Sequence, residues 1–179
     1  MNIMQESIGL WTTITTNNMK TAIIYYSKYG TTERVAYLIG ESLNHKVDYI
    51  SLRENPKADI RTYNRIILGT SIYAGTSDRI VSQFCNKNRS LLEEKVIGLF
   101  ICGMNRKQEL KEMNNAFPEY LQKLAIPKAI LGGEFLFDKM NCIERFITRK
   151  VAKIESSVSC LRYNAIREFA TQIKDSHLW

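Results

Sequence analysis

Five short apolar runs, separated by amphipathic or turn-rich chain, set the strongest limit on how this sequence folds. They are "TAIIYY", "KVDYISL", "RIILG", "KVIGLFICG" and "AILGGEFLF". An unbroken run of Ile, Leu and Val marks a strand covered on both faces, because a strand with one wet face alternates with polar residues. "KVDYISL" is more mixed, as the edge of a sheet tolerates. Helical spacing falls between the runs. Segment 32–44 places Val35, Leu38, Ile39, Ser42 and Leu43 on one face, with Glu33 in its first turn. Segment 77–88 carries Ile80, Val81 and Phe84, 108–125 is a further helix, and 161–174 carries Ile166, Phe169, Ala170 and Ile173. Strands joined through helices pair in parallel by right-handed crossovers. The expected fold is α/β: a three-layer, doubly wound, five-stranded parallel sheet. Such sheets bind ligands beyond the carboxyl ends of their strands, at the point where strand order reverses. The loops after the first, third and fourth runs are therefore the places for a site.

At 179 residues and 45% hydrophobic, the chain suits one sizeable core, expected over 19–179. Residues 1–18, "MNIMQESIGLWTTITTNN", hold one acid and no Lys or Arg. They lack the basic start and apolar run of a signal peptide and read as a loosely ordered extension. No apolar segment reaches the length of a membrane span. Cys85, Cys102, Cys142 and Cys160 form no C-x-x-C pair, and only two histidines accompany them, so no metal site is expected. Scattered single cysteines suit a reducing, cytoplasmic setting. The formal charge of +7 favours anionic partners without choosing among nucleic acid, lipid headgroups and small carboxylates.

The loop after the first strand reads "SKYGTT", residues Ser27, Lys28, Tyr29, Gly30, Thr31 and Thr32. A helix start offers unpaired N–H groups and partial positive charge, which hold phosphate. Gly30 permits the tight turn, and the Ser27, Thr31 and Thr32 hydroxyls can donate. Helix capping alone would use the same residues. Neither G-x-x-x-x-G-K-[ST] nor G-x-G-x-x-G is present, which removes the nucleoside-triphosphate loop and the dinucleotide fingerprint. Cys and Arg are also missing from the loop, as a cysteine-phosphatase site would require. The acids of a phospho-receiver are missing from the strand ends, which read "YYSK" and "LGTS".

What remains resembles flavodoxin, whose phosphate loop runs hydroxyl-x-hydroxyl-Gly-x-Thr and matches at Ser27, Gly30 and Thr32. Tyr29 stands where that family has Ser or Thr, so that hydroxyl is either missing or supplied by Thr31. The third-strand loop "GTSIYAG" looks like the flavodoxin segment that stacks an aromatic on the flavin. The resemblance assigns Thr70, Ser71, Ile72, Tyr73, Ala74 and Gly75 to the cofactor, with Tyr73 on the ring. "ICGMN" places Cys102, Gly103 and Met104 beside the ring, without the acidic or aromatic companion often found there. FMN is the cofactor that the resemblance implies, over roughly 20–174.

About forty residues follow Phe137, more than the single helix with which a small flavodoxin ends. The surplus, "DKMNCIERFITRKVAKI", repeats Met140, Ile143, Phe146, Ile147, Val151 and Ile154 at helical spacing, with Arg145, Arg149, Lys150 and Lys153 crowded elsewhere. The expectation is an extra basic helix over 140–154 that lies on a membrane surface or caps the site. Burying it whole would strand unpaired charge. The arrangement is similar to the menaquinone-dependent protoporphyrinogen oxidases, in "[ST]-x-x-G-x-T", "G-x-S-I-x-x-G" and a basic aromatic segment at 145–150. That resemblance implies an FMN oxidoreductase of haem synthesis, taking a small anionic substrate and a quinone. No nucleic-acid partner is expected, and the location is cytoplasmic or peripheral on the inner membrane face. The alternative is a one-electron carrier between proteins.

Overall fold

The computed structural model describes residues 19–73, 75–135, 138, 140, 145 and 156–176. Five strands form one sheet: β1 Thr21–Tyr26, β2 Val47–Ser51, β3 Arg65–Ser71, β4 Val96–Cys102 and β5 Lys128–Ile130. Their order is β2-β1-β3-β4-β5, and every pairing is parallel. The chain leaves β1 outward to β2 and returns to its other side at β3. The order therefore reverses between β1 and β3, and the crevice of a doubly wound sheet opens there.

Alternate side chains of β1 feed two cores. Ala22, Ile24 and Tyr26 join Leu68, Val81, Phe84, Met113 and Phe117 on one face. Ile23 and Tyr25 join Val35, Ile39, Phe100, Phe169 and Ile173 on the other. The first layer holds α2 Arg79–Lys87, α3 Arg89–Lys95, α4 Glu109–Ala116 and α5 Glu119–Gln122. The second holds α1 Thr31–Leu43 and α6 Tyr163–Asp175. No helix links β2 to β3. The crossing chain at 52–64 instead sends Leu52, Ala58 and Ile60 into the first core, doing with three side chains what a helix stripe does elsewhere.

Two sequence expectations change. The helix expected over 108–125 breaks into α4 and α5 at Phe117-Pro118. Proline has no N–H to donate and pushes the residue before it into extended backbone, and Phe117 has φ −131, ψ 155. The fifth apolar run also divides. β5 stops at Ile130, and Glu134–Phe135 forms β6, paired antiparallel with β7 Val158–Ser159. Gly132 makes the bend, at φ 80. The returning chain follows the same edge, with Cys160 N donating to Gly133 O at 2.9 Å and Arg162 N to Leu131 O at 3.1 Å. The surplus segment thus leaves and rejoins the domain at one hydrogen-bonded ladder beyond the carboxyl end of β5. Among the described residues, no helix is long and apolar enough to cross a membrane.

Candidate functional site

Three loops meet over the carboxyl ends of β1, β3 and β4. The first is 27–32. Gly30 sits at φ 99, ψ −10 as the residue capping α1, a left-handed conformation that a side chain would strain. Its amide donates to Ser27 Oγ at 3.0 Å, and its carbonyl accepts from Arg34 N at 3.0 Å. The Arg53 guanidinium donates to Lys28 O at 2.8 Å and steadies the outer side of the loop. Thr31 and Thr32 begin α1 with both side chains buried, yet neither hydroxyl has a hydrogen-bond partner among the described residues. Thr32 lies near enough to the Cys102 thiol to favour its ionised form. Two orphaned buried hydroxyls on the first turn of a helix are unusual, since buried polar atoms are nearly always paired. An anion that accepts from both removes the anomaly.

The second loop follows β3. Thr70 is fully buried, its hydroxyl donating at 3.3 Å to Ser71 O. Ile72 N donates to Cys102 O at 2.8 Å and ties this loop to the end of β4. Tyr73 and Thr76 exchange both backbone hydrogen bonds, at 3.0 and 3.2 Å, closing a tight turn with Gly75 at φ 82. Ala74 lies outside the described residues. The Tyr73 ring meets the first loop directly: Lys28 Nζ stands 3.9 Å from its centroid, and the Tyr29 ring packs edge-on at 6.3 Å. Lys28 therefore lies over an aromatic face, and Tyr29 serves the joint between the loops.

The third loop begins at Gly103, whose amide donates to Gly132 O at 3.0 Å. Cys102 is buried, and burial foremost pushes its thiol up to about 12, with the nearby Glu134 carboxylate adding to the effect. It is a neutral neighbour of the site. Met104 is half-buried in the same loop. The sequence offers no acid within "ICGMN", but the fold supplies one from α4. Glu112 is buried, and a β-carbon placed on Gly103 would stand 3.0 Å from its Oε2. Burial, and after it the charge of Glu109, raises the Glu112 pKa.

Other participants are pairings across long sequence distances. Arg34, on the first turn of α1, bonds Glu134 Oε1 of β6 and the Tyr163 hydroxyl, each at 3.0 Å. Arg162 pairs with Glu109 and donates to Ile130 O at 3.4 Å. These contacts fasten the β6–β7 ladder to α1 and to α4. Of the surplus segment, Met140 is buried and its carbonyl accepts from Arg145 Nε at 3.0 Å. Arg149, Lys150, Lys153 and the remainder of the expected helix at 140–154 lie outside the described residues, as does the extension at 1–18.

A family model, the flavodoxin domain, matches residues 22–159. No curated protein sequence matches significantly. Among solved structures, the rubredoxin oxygen:oxidoreductase of the anaerobe Desulfovibrio gigas is similar with a TM-score of 0.58 at 15% identity, covering 88% of this chain and 35% of that one. This chain thus spans about a third of that protein's length. The flavodoxin of Streptococcus pneumoniae TIGR4 is similar with a TM-score of 0.56 at 15% identity, covering 87% of this chain and 98% of that one. A mutant flavodoxin of Fusobacterium nucleatum, solved with flavin mononucleotide bound, is similar with a TM-score of 0.50 at 19% identity, covering 89% and 98%.

Proposed function

The chain belongs to the flavodoxin-domain family, and on that premise we propose that it is an FMN-dependent oxidoreductase acting on a small anionic substrate of the protoporphyrinogen class, with a quinone as acceptor. The observation that carries FMN binding is the pair of buried, partnerless hydroxyls of Thr31 and Thr32 beside the left-handed turn at Gly30. Thr31 would supply the Ser or Thr hydroxyl that the family places at the position of Tyr29. Ser27, Thr31, Thr32 and the first amides of α1 would hold the phosphate, and Tyr73 would offer its face to the ring. The backbones of Ile72 and Gly103 would lie along the ring's edge. The flavin supplies hydride and electron transfer, so the chain needs no acid-base pair of its own for that step. Its residues bind, orient and tune. The neutral Cys102 thiol keeps a reactive thiolate away from the ring.

The substrate class rests on charge and topology. The segment between β6 and β7 leaves and rejoins beyond the carboxyl end of β5, fastened to α1 by Arg34 and Glu134. It carries Arg145, Arg149, Lys150 and Lys153, which suit the propionates of a tetrapyrrole or an anionic membrane surface. Anaerobic incubation of FMN-loaded protein with protoporphyrinogen and a menaquinone analogue tests the reaction: turnover is expected, and its absence rejects the substrate. Liposome co-sedimentation at low and high salt tests the surface. Arg149→Glu with Lys153→Glu should release protein that anionic vesicles bring down, and equal recovery in the supernatant for both proteins removes the membrane role. The carrier reading is favoured by one observation, that the chain spans 98% of two flavodoxins. Reduction by a flavodoxin reductase without substrate turnover would select it.

A further inference from the structure

Glu112 is left without a use in this scheme. It is 3% exposed, and its Oε2 has no hydrogen-bond partner among the described residues. The carboxyl lies directly behind Gly103, where the side-chain-free backbone makes room for it. Ile72 of the β3 loop borders the same spot, its Cβ 3.5 Å from where a β-carbon on Gly103 would be. Glu112 therefore sits where the loops after β3 and β4 join, against the Gly103 backbone assigned to the ring's edge.

The charges around it favour the protonated form. On α4 the acting group is Glu109, whose carboxylate is itself held by Arg162 from the chain leading into α6. β4 carries one titratable side chain, the neutral Cys102 thiol. Arg106 and Lys107 of the intervening loop are exposed, and the β3 loop presents apolar Ile72. No salt bridge to Glu112 occurs among the described residues. A carboxylate buried without a partner is costly, so such a group keeps its proton beyond the usual range, and burial followed by the Glu109 charge raises its pKa here.

We propose that Glu112 is a redox-linked proton site, taking a proton from solvent as negative charge gathers on the flavin ring and returning it when that charge leaves. This rests on the FMN reading. Bound FMN that took two electrons and one proton from a donor would carry one added negative charge. With the ring's edge along the Gly103 backbone, as proposed, that charge would make ionised Glu112 less favourable. Glu112 in its carboxylate form then gains H⁺ from water and becomes the carboxylic acid. Only its O–H bond forms, and the same bond breaks on reoxidation. Proton uptake per two electrons therefore rises by the fraction of Glu112 that was ionised beforehand.

The test compares FMN-loaded wild type with Glu112→Gln, which keeps volume and removes titration. Flavin fluorescence quenching first establishes binding in each. Midpoint potentials are then measured against reference dyes across the acid-to-neutral range. Wild type should show an interval in which one further proton per two electrons steepens the slope by about 30 mV per pH unit, and Glu112→Gln should lack it. Equal slopes in two flavin-binding proteins overturn the proton role and leave the FMN reading intact. Absent quenching in wild type overturns both. If the variant does not fold, carboxyl ¹³C NMR of labelled wild type decides: Glu112 should titrate at higher pH in the reduced protein, and one unchanged pKa refutes the proposal.

Discussion

Replacing Thr32 by Val should stabilise the protein without flavin and weaken its grip on FMN. The two side chains have nearly the same shape, and their helix propensities are close, so the change isolates the hydroxyl. Thr32 is fully buried, and its Oγ1 has no hydrogen-bond partner among the described residues. An unsatisfied buried polar group costs about 1 to 3 kcal/mol. The Thr32 hydroxyl acts on the Cys102 thiol, which offsets part of this, so the gain on removal belongs at the lower end, about 1 kcal/mol. For a chain of this size that is a rise of roughly 2 to 4 °C in Tm. With FMN present the sign reverses. A hydrogen bond to a charged group contributes about 1.5 to 3 kcal/mol, so the Kd should rise roughly ten- to hundredfold. Urea unfolding of both apoproteins and flavin quenching titrations provide the two readouts. A less stable Thr32→Val apoprotein, or an unchanged Kd, would refute the argument that this hydroxyl waits for an anion.

Gly30→Val forces a β-branched residue to φ 99 and should cost about 1 to 3 kcal/mol in urea unfolding while abolishing FMN quenching; wild-type stability would show that the turn relaxes. In peptide mapping after alkylation of the native protein at pH 8, Cys85 and Cys102 should stay unmodified, because burial pushes both thiols up to about 12, while half-exposed Cys160 reacts; rapid labelling of Cys102 would contradict its burial. Lys28→Ala should cost about 0.5 to 1 kcal/mol of stability, the worth of a partly exposed cation over an aromatic face, with wild-type urea midpoints counting against the Tyr73 contact. Glu112→Gln should be more stable than wild type near neutral pH. A raised folded pKa means stability is fully present below the unfolded pKa and is lost as pH rises toward the folded one, so the advantage must close on acidification; a gap independent of pH would mean that the carboxyl does not titrate on unfolding.

The legible parts of this fold were those fixed by local chemistry. The runs at 21–26, 65–69 and 95–103 became β1, β3 and β4 because a continuous apolar strand is stable only with helices on both faces, and that also fixes where the loops must gather. "SKYGTT" is readable for the same reason as a glycine turn before a helix, which Gly30 at φ 99 makes ahead of α1. The break at Pro118 was visible in the text but was overridden by the apolar spacing on either side. "LGG" within the fifth run likewise signalled a bend, but whether β6 would rejoin the sheet depends on a partner strand over twenty residues later.

Glu112 marks the limit of such reading. In "ELKEMNNAF" it looks like any polar helix position, beside Met113 and Ala116 that are plainly core. Its burial is made elsewhere, by the missing side chain of Gly103 and the approach of Ile72, and neither leaves a trace at position 112. The same holds for Arg34 with Glu134, an ordinary surface pair in sequence that fastens α1 to the base of the surplus segment. Local pattern thus points to the edge proposed for the flavin. The groups that would set its proton balance and hold the surplus segment beside it arise only from tertiary contacts. Potential and substrate choice can therefore differ widely among chains sharing this loop, and both should respond more strongly to substitutions at Glu112 and Arg34 than at the exposed Arg106 or Lys107.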